Sequence, residues 1–406
     1  MSDPLEPQSL ALLPVKGVEL AATRAGIKAS GRPDVVLVRF AAGSRTAAVF
    51  TRNSFRAAPV HVAQRHLARK SARLLLINSG CANAGTGAAG EQDAEDSCRH
   101  AATAAGVDAT SVLPFSTGVI GQRLPMDRLR AGIEECAGRF APDADAWTAA
   151  ATAILTTDTR PKGSSRRVAL SGGEVTVTGI AKGSGMIRPD MATMLAFVCT
   201  DADVAGPELD AMLRRTVDGS FHCITVDGDT STNDAVTLTA TGASGVPAAE
   251  ASDLDQLEAA IGSVCMELAQ AIVGDAEGVT RVIEIEVSGG RDRDECRAVA
   301  FTVAHSPLVK TAVFGGDPNW GRILAAVGRA PVIDLDVARV DISLDRIALV
   351  RAGQPVEALD EAAAAAAMSG NAVRIRIDLG RGEAVATVWT SDLSHEYVRI
   401  NADYRT

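Results

Sequence analysis

Short stretches in the C-terminal half of the chain alternate apolar and polar residues. The pattern runs through residues 282–287, 341–344 and 373–379. A two-residue repeat puts successive side chains on opposite faces of a strand, so these stretches predict half-buried strands. The last stretch continues through the glycines of 380–382 into 384–389, which predicts a hairpin with its turn at the glycines. We therefore expect antiparallel sheet in the C-terminal half.

Other segments repeat apolar residues every three or four positions, as one face of a helix requires. Apolar side chains recur at this spacing from Leu254 to Ile272, and Ser252 is a residue type that caps helices. Gly206-Pro207 predicts the start of another helix, and the six consecutive alanines within 360–368 predict a third. Strands and helices without a regular β-α-β alternation predict an α+β fold of layered sheets and helices, not a doubly wound parallel sheet.

Length and charge limit the class of protein. A chain of 406 residues is longer than one core usually supports, so we expect two domains or two intimately packed halves. A net charge of −10, with no basic stripe, argues against a nucleic-acid partner. No apolar run approaches the roughly 18 residues of a membrane helix, so no membrane partner is expected. The first residues lack the pattern of a secretory signal, and the cytoplasm is the expected compartment.

The cysteines and two short motifs are better explained by structure than by ligands. Seven scattered cysteines without a Cys-x-x-Cys pair indicate neither a disulfide framework nor a zinc site, and we expect them to be buried.

Residues 85–90 read Gly-x-Gly-x-x-Gly, but residues 78–84 separate them from the preceding apolar run, which disfavours a dinucleotide site. Residues 227–234 resemble a calcium loop, yet Thr232 and Leu238 stand where that loop needs glycine and glutamate. A turn is expected there.

A glycine-rich turn at residues 181–185 leads into an apolar strand that begins near Thr193. On its own this pattern indicates a loop that enters a buried strand. The chain has no Gly-x-Ser-x-Gly elbow, and its six histidines show no paired spacing typical of a metal or catalytic site. A catalytic base would have to come from another group.

The segment 181–203 resembles the signature of the ornithine acetyltransferase family, also called glutamate N-acetyltransferase. Precursors of this family cleave themselves before the threonine of Met-Ala-Thr-Met-Leu, which here is the bond between Ala192 and Thr193. Asp190 stands where many members carry asparagine, a departure that bears on the cleavage rate. The resemblance extends over essentially the whole chain and includes residues 115–121, 156–159, 317–322 and 400–406.

The resemblance implies roles for particular residues. Thr193 would be the nucleophile, and cleavage would free its α-amine, whose ordinary pKa of about 7.7–8.0 suits a base near neutral pH. Thr117 and Gly118 would form the oxyanion hole. Lys182 can pair with a carboxylate and Glu277 with an ammonium. The residues implied to contact substrate are Thr156, Lys182, Thr193, Glu277, Asn401 and Thr406. Thr157 is an alternative to Thr156.

The expected enzyme transfers the acetyl group of N-acetylornithine to glutamate in the cyclic form of arginine biosynthesis, without a metal or organic cofactor. Its chains would be residues 1–192 and 193–406, two copies of each forming a heterotetramer. Whether acetyl-CoA is also a donor is left open by the sequence. Two alternatives remain: an N-terminal-nucleophile amidase or aminopeptidase, which would transfer the acyl group to water, and an uncleaved binding protein that uses the glycine-rich loops to hold a ligand.

Overall fold

The computed structural model describes Leu5, residues 10–188 and residues 194–403. Within this part of the chain the residues form two compact units. The N-terminal unit contains residues 10–222, apart from 189–193, together with residues 229–272. The C-terminal unit contains residues 223–228 and 273–403.

The N-terminal unit contains two sheets. Its strands are β1 (Val18–Thr23), β2 (Val35–Phe40), β3 (Arg45–Phe50), β4 (Leu74–Cys81), β5 (Val112–Val119), β6 (Lys162–Leu170), β7 (Gly173–Lys182), β8 (Leu195–Thr200) and β9 (Ala235–Ala240). One sheet has the order β1-β2-β4-β5 and the other β3-β9-β8-β7-β6. The helices are α1 (Ala58–Leu67), α2 (Gly87–Ala105), α3 (Met126–Ala137), α4 (Ala144–Ala153), α5 (Gly206–Asp218) and α6 (Ala251–Val273).

The two sheets pack face to face between helices. Alternate residues of β4 explain the layers: Leu75 joins the core shared by the two sheets, whereas Leu74 joins a second core beneath α2 and α3. Phe115 of β5 and Phe197 of β8 meet edge to face across the shared core, with ring centroids 5.1 Å apart. The outer face of the second sheet lies against α6, since a Cβ placed on Gly179 would come within 3.0 Å of the Leu268 side chain. The order of layers is helix, sheet, sheet, helix.

Strand direction brings several strand ends together. The crossover through α2 makes β4 and β5 parallel, so that Gly80 pairs with Gly118 where both strands end. In the other sheet β7 and β8 are antiparallel, and Lys182 at the end of β7 pairs with Leu195 at the start of β8.

The C-terminal unit contains a six-stranded sheet. Its strands are β10 (Val282–Gly290), β11 (Asp341–Leu344), β12 (Ile347–Arg351), β13 (Gln354–Pro355), β14 (Ala372–Asp378) and β15 (Ala384–Ser391). The order is β13-β12-β11-β14-β10-β15. The helices are α7 (Arg293–Ala304), α8 (Pro307–Phe314), α9 (Trp320–Gly328), α10 (Glu361–Ala367) and α11 (His395–Asp403). The expected alternation is present, because Ile283, Ile285 and Val287 of β10 point into the core.

The hairpin predicted between residues 373–379 and 384–389 is wrong. Both segments are strands, β14 and β15, but each pairs with β10, which lies between them. Strands that flank a third are about 9.6 Å apart. Residues 379–383 therefore form a connection across the end of β10 and not a hairpin turn. The glycines instead let the connection pass close to the end of β10, where Gly382 N donates to Gly289 O at 2.8 Å and a Cβ on Gly382 would lie 2.2 Å from Gly290 O. Antiparallel pairing is present, as expected, between β10 and β15.

The other predicted elements are largely confirmed. Helix α5 begins at Gly206, and α10 occupies the polyalanine segment with Asp360 as its N-cap. Helix α6 begins at Ala251, which places Ser252 inside the first turn and not at the cap. All seven cysteines are buried, and none forms a disulfide. The α+β fold of layered sheets and helices is therefore confirmed, and no helix in the described residues is long and apolar enough to span a membrane.

Candidate active site

Thr117 and Gly118, the predicted oxyanion hole, lie at the end of β5. Gly118 adopts φ of +131°, a conformation that side chains disfavour. A Cβ on Gly118 would also lie 2.4 Å from the backbone carbon of Gly80, its partner on β4. Both observations require glycine, because any side chain here would separate the ends of β4 and β5.

Lys182 reaches Thr117 from the second sheet of the same unit. Its Nζ donates to the Thr117 Oγ1 at 3.4 Å, and both residues are buried. Since the ammonium has only donors, the Thr117 hydroxyl accepts this bond and keeps its own hydrogen for donation. A hydroxyl arranged in this way can donate to an oxyanion.

Buried amide side chains fix the backbone beside Thr117. The Ser116 hydroxyl donates to Asn78 Oδ1 at 2.6 Å. Asn233 Nδ2 donates to the carbonyls of Ser116 at 2.9 Å and Ala82 at 2.7 Å. These bonds join the end of β5 to the segment that follows β4. The position of Thr117 is therefore set by buried groups on three parts of the chain.

The loop that contains Thr156 and Thr157 is held by two charged side chains, both of which bond to the backbone of Thr156. Thr156 N donates to Asp158 Oδ2 at 3.0 Å, and Arg32 Nη2 donates to the Thr156 carbonyl at 3.0 Å. Both threonines are half-buried. The choice between them as the residue that contacts substrate stays a prediction.

Asp158 is a buried acidic residue beside this loop. Its Oδ1 accepts from Lys162 Nζ at 2.7 Å and from Gly183 N at 2.7 Å. Burial raises the pKa of the Asp158 carboxyl, but the ammonium groups of Lys162 and Lys182 and these hydrogen bonds together hold it below its ordinary value. Asp158 is therefore a carboxylate at neutral pH.

Lys28 adds another cation to this buried region. Its Nζ donates to the carbonyls of Pro33 at 2.8 Å and Ala153 at 2.9 Å. Burial, and next the positive charge of Arg32, lower the pKa of Lys28 to about 8. Lys28, Lys162, Lys182 and Arg32 thus face two buried carboxylates, Asp34 and Asp158, and this excess of positive charge favours an anionic ligand.

Some predicted site residues lie outside the described part of the chain. These are Ala192 and Thr193 of the predicted cleavage site, Thr406, and also Asp190. The described chain resumes at Met194, whose carbonyl accepts from Ala235 N at 3.1 Å. A Cβ placed on Gly183 would lie 3.4 Å from the Met194 Cβ. Met194, the second residue after the predicted scissile bond, is thus next to the end of β7.

Glu277 and Asn401 are brought together in the C-terminal unit. Asn401 Nδ2 donates to Glu277 Oε2 at 2.9 Å and to the Tyr397 carbonyl at 3.0 Å. The second of these bonds ties the amide to its own helix, α11. The amide therefore orients the Glu277 carboxylate, which keeps accepting capacity for an ammonium group.

Helix α11 can lie close to Glu277 because the next residue in the chain, Gly278, has no side chain. Gly278 has φ of +68°, and a Cβ there would lie 2.4 Å from Tyr397 N. The Ser394 hydroxyl donates to the Gly278 carbonyl at 2.6 Å, and the Tyr397 hydroxyl donates to Asp227 Oδ2 at 3.4 Å. The start of α11 is ordered by these bonds, although chain ends usually fray.

Sequence reasoning missed three of these residues. Asp158 lies within a segment that carried the family resemblance, yet no role was expected for it, and its partner Lys162 was not considered. Asn233 was expected only as part of a turn. One signal was present for the pair: a carboxylate and a lysine stand four residues apart, and their two charges can be buried only if they meet.

The chain is similar to known proteins over nearly its whole length. A family model described as the ArgJ family matches residues 19–406. A protein of Methylococcus capsulatus named arginine biosynthesis bifunctional protein ArgJ is 52% identical over 97% of this chain and 97% of its own. A protein of the same name from Pseudomonas syringae pv. tomato is 50% identical over 98% of each chain.

A solved structure is similar as well. The crystal structure of the arginine biosynthesis bifunctional protein ArgJ of Bacillus halodurans aligns with 52% of this chain and 100% of its own, at a TM-score of 0.50. The aligned residues are 37% identical. The expected resemblance to the ornithine acetyltransferase family is thus supported by both sequence and structure.

Proposed function

The chain belongs to the ArgJ family, and from this premise we propose that it transfers the acetyl group of N-acetylornithine to glutamate through an acetyl ester on Thr193. The products are ornithine and N-acetylglutamate, as in the arginine biosynthesis that the relatives' names record. The observation that carries the proposal is the Thr117 hydroxyl beside Gly118, with Lys182 donating to it. This is a donor group of the kind that an acyl-transfer site needs.

The first half-reaction forms the ester. The Thr193 hydroxyl attacks the acetyl carbonyl, and the free α-amine of Thr193 accepts the hydroxyl proton. The oxyanion receives hydrogen bonds from the Thr117 hydroxyl and the Gly118 amide. Collapse breaks the C–N bond, and the proton passes to the departing ornithine nitrogen. Loss of one oxyanion donor typically lowers kcat by about 10²–10³.

The second half-reaction returns the enzyme to its starting state. The α-amine of glutamate attacks the acetyl ester, and its proton passes through the Thr193 amine to the threonine oxygen as the C–O bond breaks. Ornithine has to leave first, because both amino acids present an α-carboxylate to the same groups. This order predicts ping-pong kinetics.

Charge recognition is assigned to the remaining site residues. Lys182 pairs with the α-carboxylate shared by both substrates, while Thr156, Asn401 and Thr406 supply hydrogen bonds. Glu277 pairs with the distal ammonium of N-acetylornithine, and the bond from Asn401 supports this role by orienting its carboxylate.

Self-cleavage would use the same hydroxyl. Attack of Thr193 on the Ala192 carbonyl gives an ester, which water hydrolyses to chains 1–192 and 193–406. The position of Met194 beside Gly183 supports this step, because Thr193 is covalently bonded to Met194 and the peptide at Gly183 is held by Asp158. We also propose assembly of two copies of each chain into a heterotetramer in the cytoplasm.

A second donor is part of the proposal. The relatives are named bifunctional, and acetyl-CoA is the donor that would let the enzyme start the pathway as well as recycle its acetyl group. Formation of N-acetylglutamate from acetyl-CoA and glutamate, without N-acetylornithine, tests it. No product under these conditions restricts the enzyme to transfer between amino acids.

The central test follows the acetyl group. Purified enzyme given N-acetylornithine alone is expected to release ornithine in a burst and to yield a 193–406 chain heavier by one acetyl group on Thr193. Glutamate is then expected to remove that mass as N-acetylglutamate. Thr193→Ala should stay one chain and transfer nothing, whereas Thr193→Ser keeps a hydroxyl and serves as the control. Cleavage in the alanine variant, or acetyl release only to water, would contradict the proposal, and the second outcome would favour an amidase.

A further inference from the structure

We propose that Asp158 is a positioning residue, whose carboxylate holds the Thr156 amide and the peptide after Lys182 in the arrangement that binds the amino-acid substrate. This inference rests on the proposed function, because Thr156 and Lys182 are the residues assigned to substrate there. Asp158 itself does not contact substrate in this proposal. Its role is to act through its two neighbours.

Three segments of the N-terminal unit meet at this one carboxylate. Oδ2 accepts from Thr156 N at 3.0 Å, on the loop after α4. Oδ1 accepts from Gly183 N at 2.7 Å, directly after β7, and from Lys162 Nζ at 2.7 Å, at the start of β6. Each oxygen therefore holds a backbone amide from a different segment. Replacement of either oxygen by a donor group must break one of these contacts.

The Lys162 pair alone does not account for this geometry. A buried ion pair also needs hydrogen bonds to its remaining lone pairs, but it does not specify which groups donate them, and its replacement by apolar residues is often neutral for stability. Here the carboxylate also receives two backbone amides, and both belong to segments with a predicted substrate contact. Lys162 is 2% exposed, so its ammonium serves as the fixed counter-charge that keeps the carboxylate ionised. Small displacements are costly in such a site, since about 1 Å of misplacement can lower activity a hundredfold.

The test compares two buried carboxylates at opposite ends of the β6-β7 hairpin. Asp158→Asn keeps the size of the side chain but puts an NH2 group against an N–H donor. The single variant leaves Lys162 buried without a carboxylate. The test therefore uses a double variant, Asp158→Asn with Lys162→Met, which removes both charges. Asp253→Asn is the matched control, since Asp253 is 2% exposed and accepts from Ser171 N at 2.9 Å and Ser171 Oγ at 2.5 Å at the hairpin turn.

The measurements are kcat and KM for N-acetylornithine and glutamate, the fraction of chain cleaved and the thermal midpoint. We expect the double variant to raise both KM values at least tenfold with a smaller change in kcat, while Asp253→Asn stays within twofold of wild type. A folded double variant that remains uncleaved, beside a cleaved Asp253→Asn, also supports the role, because Gly183 lies beside Met194.

The outcomes distinguish failure of this inference from failure of the proposed function on which it rests. Wild-type enzyme that forms no N-acetylglutamate overturns the proposed function. Active wild type, together with a cleaved double variant whose KM values are unchanged, overturns the positioning role alone and leaves Asp158 as the counter-ion of Lys162. A rise in KM of the same size in Asp253→Asn overturns it as well, since the effect would then follow general destabilisation.

Discussion

Lys162 in the N-terminal unit and Lys310 in the C-terminal unit are buried to nearly the same degree but have different partners. Lys162 is 2% exposed and forms an ion pair with Asp158 at 2.7 Å. Lys310 is 4% exposed and donates to neutral oxygens, the Thr390 hydroxyl at 3.0 Å and the Ser391 carbonyl. Burial lowers the pKa of Lys310 to about 8, although the charges of Asp392 and Asp227 act against the shift.

The difference shows that the partner of a buried lysine, as well as its burial, decides what the lysine contributes to stability. A carboxylate at contact distance compensates a buried ammonium, whereas neutral acceptors leave part of the cost of burying the charge. The ion pair of Lys162 is therefore expected to stabilise the fold at pH 7, where Asp158 is a carboxylate. Lys310, in contrast, is expected to add to the stability of the folded protein only as the solution becomes alkaline.

The largest expected effect is that of Lys162→Met. This change leaves the Asp158 carboxylate buried without its ion-pair partner, and breaking a buried pair from one side typically costs about 3–5 kcal/mol. We expect a loss of this size in the free energy of unfolding, measured by urea titration at pH 7. The double variant with Asp158→Asn should recover part of the loss. If Lys162→Met is as stable as wild type, the ion pair does not stabilise the fold, and the contrast between Lys162 and Lys310 is wrong.

The next effect concerns Lys310 and depends on pH. Below pH 8 the lysine is protonated in both the folded and the unfolded chain. Between pH 8 and its ordinary value of 10.5 the unfolded chain binds the proton more tightly, so the free energy of unfolding rises with pH. The expected gain approaches about 3 kcal/mol for a shift of this size at a fully buried group.

Lys310→Met isolates this contribution. Unfolding midpoints of wild type and variant are compared at pH 7 and pH 10, and the alkaline gain of the wild type relative to the variant is the measured quantity. Methionine removes the titrating group and keeps an apolar chain of similar length. Equal pH dependence in the two proteins would show that burial of Lys310 does not shift its pKa.

The smallest effect is expected for Lys28→Met. Its ammonium donates to the carbonyls of Pro33 and Ala153, but the Ser79 hydroxyl also donates to Ala153 O at 2.6 Å and remains in the variant. One hydrogen bond is then lost without replacement, which corresponds to about 1 kcal/mol at pH 7. A loss as large as that of Lys162→Met would show that Lys28 is coupled to the Asp158 cluster.

The sequence predicted elements more reliably than it predicted their partners. The strand alternation in β10 and β14 and the proline at the start of α5 are local signals, and these elements are confirmed. The pairing of β14 with β10 was missed because alternation specifies the faces of a strand but not its neighbour. Asp158 was missed for a similar reason, since its contact with Gly183 N, 25 residues away in the chain, exists only in the folded structure.

Prediction of the site was limited for the same reason, because its contacts join segments that are far apart in the chain. Glu277 and Asn401 are 124 residues apart in the chain, and only a family resemblance connected them before the structure placed them 2.9 Å apart. The glycine at 118 could have been suspected as a turn, but its contact with Gly80 depends on the register of β4 and β5. The roles of these residues in catalysis stay predictions.

The antiparallel pairing of β7 with β8 has a consequence for assembly. The predicted cut lies between these two strands, and β8 and β9 separate β7 from β3 within one sheet. A cut there converts the folding of one chain into the association of two, since neither product contains the complete sheet. The stability of the processed enzyme should then depend on protein concentration by mass action, unlike that of an intact precursor of one chain.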